Sequence, residues 1–312
     1  MNQLNNDKHE DAIDFTYFFT IIWQRKNLIA AITILSLVVS TIFSLNMQNI
    51  YISKSLLVPT NQDDSLSSKI GGLSSLSGLA GFTLPNTPTS KSQEAIERIK
   101  SFEFFSNQFL PNIKLENLMA IKKWKPEENI ILYDRSVFDS EQNMWVRKVS
   151  FPKKIKPSDQ EAYLMYKDII NISEDKSTSF VTVSVEHQSP IIAQTWVSLI
   201  IKNINEHMKI IDAEQAEKSI LYLNQTAAST NVESIKDAIS KLLENQMQTL
   251  MLTASNEDYI FKKIDSPIIP EIHSKPSRFL IIFLSTVFGM LISIFYILIL
   301  HMINSFKLMS SK

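Results

Sequence analysis

The residue types that most often carry chemistry are thinly spread along this chain. Its five histidines, His9, His187, His207, His273 and His301, stand far apart, with no His-x-x-x-His spacing to put two metal ligands on one helix face. There is no cysteine, which excludes disulfides, thiolate metal sites and a cysteine nucleophile. The acidic pairs Asp63-Asp64, Glu127-Glu128 and Glu257-Asp258 lie in polar stretches and read as solvated loop charges rather than buried, proton-exchanging carboxyls. No Gly-x-Ser-x-Gly elbow is present. The segment GGLSSLSGLAGF holds Gly71, Gly72, Gly78 and Gly81 but lacks the Gly-Lys-Ser/Thr ending of a phosphate cradle. It reads as a Leu/Ser/Gly loop, with an apolar flap for lipid or a lipid-linked glycan as the functional alternative. We expect no catalysis, no cofactor and no metal. What remains is the chemistry of packing and backbone restriction: Pro267, Pro270 and Pro276 in one stretch, and the small-residue rows Ser36, Ser40, Ser44 and Ser285, Gly289, Ser293 in two others.

Those rows sit in the two apolar runs of the chain. Phe279 to Leu300 carries no charge and is long enough, at 1.5 Å per helical residue, to cross a hydrocarbon core of about 30 Å. Leu28 to Leu45 is a second such run, and no Ala-x-Ala-like cleavage site follows it, so it reads as an uncleaved anchor. Ahead of it, Phe15, Phe18, Phe19, Ile22 and Trp23 recur at helical spacing, as in an amphipathic helix at the headgroup level. Arg25 and Lys26 flank the first run on its N-terminal side, and the next cation is Lys54, which places the N-terminus in the cytoplasm. Residues 1–27 are then a cytoplasmic segment, 28–45 the first span, 46–278 an outward-facing domain, 279–303 the second span and 304–312 a cytoplasmic tail. Small residues one turn apart let helix backbones approach, so the two rows are candidate packing faces between the spans or between subunits; ordinary Ser and Gly usage is the competing reading. A charged fraction of 20% with a net charge of −1 shows no basic excess for nucleic acid.

The central domain reads as α+β, an α/β base from which a long helical segment projects. Tyr51 to Pro59 suits a strand. Ser90-x-x-Gln93 caps a helix to Phe109 with Ala95, Ile99, Phe102, Phe105 and Phe109 on one face. Trp145 to Phe151 alternates as a strand would, and Ser158-x-x-Glu161 caps a helix to about Asp168. Ile169–Ser173 and Phe180–His187 form a hairpin. Ser189-Pro190 then opens a helical stretch of about residues 191–257, with one stripe of Ala193, Trp196, Ile200, Ile204, His207 and Ile211 and another of Val232, Ile235, Ile239, Leu242 and Leu250. TAASTN at 226–231 is where it would bend. Tyr259 to Ile264 returns as a strand, and the prolines of 265–278 make a stiff strap, since each lacks an amide donor and holds its predecessor extended.

With these residues the chain resembles the bacterial polysaccharide co-polymerases, or chain-length determinant proteins. The similarity runs through Trp23-Gln24-Arg25-Lys26, the first span, YISKSLLVP, the Gly-Leu-Ser loop, Ser-Pro-x-x-Ala-x-x-Trp at 189–196 and the long helix. It is most specific in the strap, Asp265-Ser266-Pro267-x-x-Pro270-x-x-x-x-x-Pro276-x-Arg278, which runs straight into the second span. It departs where the family commonly has one more proline, a position held by His273. The resemblance implies an inner-membrane protein of Gram-negative bacteria that forms homo-oligomeric rings. Such a protein sets the modal length of O-antigen, the lipopolysaccharide side chain, or of a related surface polysaccharide, beside a separate membrane polymerase acting on a lipid-linked glycan. Some relatives carry a kinase domain after the second span; the short tail here leads us to expect the type without one. An adaptor of a capsule export system would share the two spans and the helical outward domain. A two-span sensory receptor would need a cytoplasmic output domain.

Overall fold

The structure is a computed structural model that describes residues 23–60 and 90–310. The leader up to residue 22 and the glycine-rich loop lie outside the described residues. In chain order the elements are helix α1 (Lys26–Asn46), strand β1 (Tyr51–Pro59), helices α2 (Lys91–Ile99) and α3 (Leu115–Met119), strands β2 (Ile121–Lys125), β3 (Ile130–Tyr133), β4 (Phe138–Asp139) and β5 (Met144–Trp145), helix α4 (Asp159–Ile169), strands β6 (Ile170–Glu174) and β7 (Val181–His187), helices α5 (Pro190–Ser229) and α6 (Glu233–Ser255), strand β8 (Phe261–Asp265) and helix α7 (Arg278–Ser310). Residues 50–274 form one compact unit, and the segments on either side of it form the other. The fold class is α+β, as the residue pattern implies.

The central unit is built on an antiparallel four-stranded sheet in the order β6-β7-β1-β8. Tyr51 faces His187 and Leu57 faces Val181, a register that places Ser53, Ser55 and Leu57 of β1 beside Val185, Val183 and Val181 of β7, all of them buried. Against this face packs the first half of α5, with Ala193, Trp196, Val197, Ile200, Ile201, Ile204 and Met208 buried at helical spacing. Its start is written as expected: the Ser189 hydroxyl accepts from the Ile192 amide and Pro190 occupies the first turn, where its missing donor costs nothing. An aromatic cluster completes the core. Tyr166 lies 4.9 Å from Phe105 and 4.8 Å from Phe109, and its hydroxyl donates to the Ile99 carbonyl at 2.9 Å. Helix α4 opens with the expected capping box between Ser158 and Glu161, whose carboxyl is held below the usual range by its hydrogen bond from Arg147.

Two expectations are corrected and a third, left open, is settled. The helix expected over 90–109 is broken: α2 stops at Ile99, Ser101 caps a fresh turn by accepting from the Phe104 amide, and residues 105–109 wind as a wider π turn. That break rotates the face, so Phe104 is buried and Phe102 stays 41% exposed. The strand expected over 145–151 is confined to Met144–Trp145, because its far end turns outward and leaves Phe151 97% exposed. The helical stretch over about 191–257, left open as one helix or two with its bend at 226–231, is two helices, separated by Thr230 and Val232 in extended conformations. Both are β-branched and flank Asn231, residues that lower the cost of leaving the helix.

Candidate functional site

Among the described residues no group of three His, Cys, Asp or Glu is placed to hold a metal ion. The organised features are the strap, the paired apolar helices and the hairpin of α5 and α6.

The strap, residues 266–274 of the central unit, continues β8 alongside β1 without forming a helix. Its carbonyls are met by side chains: Ser53 Oγ donates to Ile268 O at 2.8 Å and Ser55 Oγ to Asp265 O at 2.6 Å. Both serines are 1% exposed, so these bonds are sheltered from water. Pro267 is buried, and its carbonyl accepts from Gln194 Nε2 at 3.3 Å; Pro270 is half-buried. The strap closes where the Ser274 amide donates to the Ile50 carbonyl at 2.8 Å. Pro276, also half-buried, belongs to the other unit.

In that other unit α1 and α7 run antiparallel. Ser36 Oγ donates to the Ser285 carbonyl at 2.8 Å, and near their other ends Arg278 Nη2 donates to Asn49 Oδ1 at 2.8 Å. Gly289 is buried against Ser36, and a Cβ there would fall 2.5 Å from Ser36 Cβ. Ser40, Ser44 and Ser293 are buried too, at 7%, 0% and 0% exposure, and Ser40 and Ser293 return their hydroxyls to the carbonyls of Leu37 and Met290 in their own helices. The two sequence rows therefore meet at Ser36, Ser285 and Gly289. Large apolar residues, Leu35, Phe43, Phe288 and Ile292 among them, point outward, and both helices are long and apolar enough to cross a membrane.

Helices α5 and α6 pack on each other as an antiparallel hairpin, and bonds from α5 to the chain just after α6 fasten its base. Asn205 Nδ2 donates to Phe261 O at 3.0 Å, while its Oδ1 accepts from the amides of Ile260 and Phe261 at 2.8 and 2.9 Å. About two turns further out the Tyr259 hydroxyl donates to Asp212 at 2.6 Å, and Lys91 pairs with the same carboxylate. Beyond this anchored base the apolar stripes are only partly used. Ile239 of α6 and Ala216 of α5 are buried, but Val232, Ile235 and Leu242 remain 52%, 45% and 45% exposed, alongside Leu221, Tyr222, Met247 and Met251. An open cleft of about 710 Å³ lies between the helices, lined by Ile211, Glu214, Lys218, Tyr222 and Leu242.

The sequence reading missed Asn205, because its role depends on a strand more than 50 residues away, and missed Ser53 and Ser55, which read only as a polar interruption of a strand. Their spacing of two, facing a segment rich in proline, was the signal available.

The described residues thus define an α+β unit flanked by two antiparallel apolar helices. Residues 11–108 match the family model for Wzz, chain length determinant protein, the family its residues resemble. Among solved structures it is similar to a full-length bacterial polysaccharide co-polymerase, at 13% identity, with 95% of this chain and 99% of that chain covered and a TM-score of 0.40. It is also similar to a fragment of WzzB, a polysaccharide co-polymerase from Salmonella Typhimurium, at 13% identity, with coverage of 73% and 100% and a TM-score of 0.28. No curated protein matches the chain.

Proposed function

We propose that this protein regulates the chain length of O-antigen or a related surface polysaccharide, as a homo-oligomeric inner-membrane scaffold acting with a separate membrane polymerase. The family match over residues 11–108 carries this reading. In it α1 and α7 span the inner membrane, Arg25 and Lys26 hold the N-terminus in the cytoplasm and the central unit faces the periplasm. The scaffold acts without catalysing a reaction. The open stripe of Val232, Ile235 and Leu242 supports association, since a helix that leaves such a face uncovered gains by burying it against a neighbouring copy. A ring of copies keeps lipid-linked glycan and polymerase at raised effective concentration, and chain length then follows from the balance of extension and release.

Deletion of the gene followed by electrophoresis of the surface polysaccharide tests the reading. Polymer is expected to persist while its modal cluster of lengths disappears. An unchanged ladder, or polymer retained inside the cell as an export adaptor would cause, overturns it.

A further inference from the structure

Between Met144 and Pro157 the sequence MWVRKVSFPKKIKP contains five cations and no acid. The fold shapes this stretch into a held turn. The Lys153 amide donates to the Ser150 carbonyl at 3.0 Å, closing a turn with Phe151 and Pro152 at its crown. Arg147 clamps the two limbs: its Nε donates to the Ile155 carbonyl at 2.8 Å, its Nη2 reaches the Lys154 carbonyl at 2.6 Å, and the same guanidinium pairs with Glu161 on α4. Trp145 roots the near limb by an edge contact with Phe138, ring centroids 5.1 Å apart. Outside this clamp none of the described residues covers the crown. Every residue from 150 to 156 is exposed, with Phe151 at 97% and Ile155 at 58%. Lys148, Lys154 and Lys156 are exposed around them, and Lys153 extends to 3.7 Å from Glu161 Oε1.

We propose that this turn docks on an anionic phospholipid surface, with Phe151 entering the headgroup layer and Lys148, Lys154 and Lys156 contacting lipid phosphates. A phenyl ring on a convex crown offers no groove in which a sugar could lie, whereas a lipid interface closes around a convex apolar residue and removes it from water. The surrounding lysines match an anionic surface and repel the same crown on a second copy. Because Arg147 fixes the turn beforehand, docking orders little new chain. This rests on the proposed function, in which α1 spans the membrane; four residues, Met47 to Ile50, link α1 to β1.

The absence of native cysteine allows a direct test in the full chain. Ser150→Cys is labelled with an environment-sensitive fluorophore and reconstituted into vesicles whose lipids carry brominated acyl chains. One set is phosphatidylcholine alone; the other contains about one-third phosphatidylglycerol. Quenching is expected to be severalfold stronger with phosphatidylglycerol, and to fall back when Lys148, Lys154 and Lys156 are all changed to Gln. A label at Val39→Cys in α1 reports on insertion of the apolar helices independently. Strong quenching at 39 with none at 150, or equal quenching at 150 in both compositions, overturns the proposal. So does quenching at 150 that survives the change of Lys148, Lys154 and Lys156 to Gln.

Discussion

The Ser36 hydroxyl donates to the Ser285 carbonyl at 2.8 Å, one turn from the point where a Cβ on Gly289 would press to within 2.6 Å of the same hydroxyl oxygen. The hydrogen bond and the missing side chain are two halves of one close approach. In the proposed membrane-spanning arrangement hydrocarbon burial does not drive these helices together, and such approach and the bonds it permits supply the packing energy.

Gly289→Ala is therefore expected to force α1 and α7 apart, at a cost of about 1–3 kcal/mol typical of overpacking. Thermal unfolding in mild detergent should report it as a lowered midpoint. The clash involves both Cβ and Oγ of Ser36, so Ser36→Gly on the Gly289→Ala background should recover much of the loss, whereas Ser36→Ala should not.

Replacing Ser53 and Ser55 together by Ala removes two sheltered donors from the strap carbonyls. Each loss is expected to cost about 1–3 kcal/mol. Hydrogen exchange should quicken first at the Ser274 amide, whose bond to Ile50 closes the strap, while amides in β7 keep their protection.

Asn205→Leu leaves the amides of Ile260 and Phe261 and the Phe261 carbonyl buried without their partner. A loss of about 3 kcal/mol or more is expected in chemical denaturation. Its local signature would be rapid exchange in β8, the edge strand these bonds tie to α5.

His187 gives the central unit a pH dependence. Its Nδ1 accepts from the Ser189 amide at 2.9 Å, its Nε2 faces the Asn117 carbonyl at 3.0 Å, and Trp196 lies 4.8 Å from the ring. Burial holds its pKa below the ordinary value of 6.5, although the two backbone contacts oppose the shift. The unfolded chain takes up a proton first, so the contribution of this group to stability is complete above pH 6.5 and declines as pH falls toward the lowered folded value. Protonating Nδ1 would also set a new hydrogen against the Ser189 N–H. Thermal midpoints measured between pH 7.5 and 5 should fall in the wild type, and His187→Gln should flatten that decline.

Much of the fold follows from local spacing. The alternation in YISKSLLVP, the Ser158–Glu161 box and the Ser189-Pro190 start each specify an element through neighbours within a turn or two, and each element is found at those residues. The misplacements share a different cause. Ser101 can cap a new turn or continue a helix, and the choice depends on burying Phe104 and Phe105 against α4 and α5, which no window around Ser101 contains. The alternating residues near Val146 suggested a strand, but Arg147 spends its donors on Lys154, Ile155 and Glu161 and bends the chain away. The small residues of the apolar runs were legible as rows. That Ser36 in particular meets Ser285 and Gly289 depends on the antiparallel register of two helices about 250 positions apart.

The bond between Ile50 and Ser274 makes the central unit a closed purse whose two drawstrings leave side by side. Tension applied at those two ends would open the seam between β1 and the strap one fastening at a time, Ser274 first, then Ser53 and Ser55, rather than shearing them all together. Mechanical load on the chain is thus met first by its most replaceable bonds, and the aromatic core behind them is reached last.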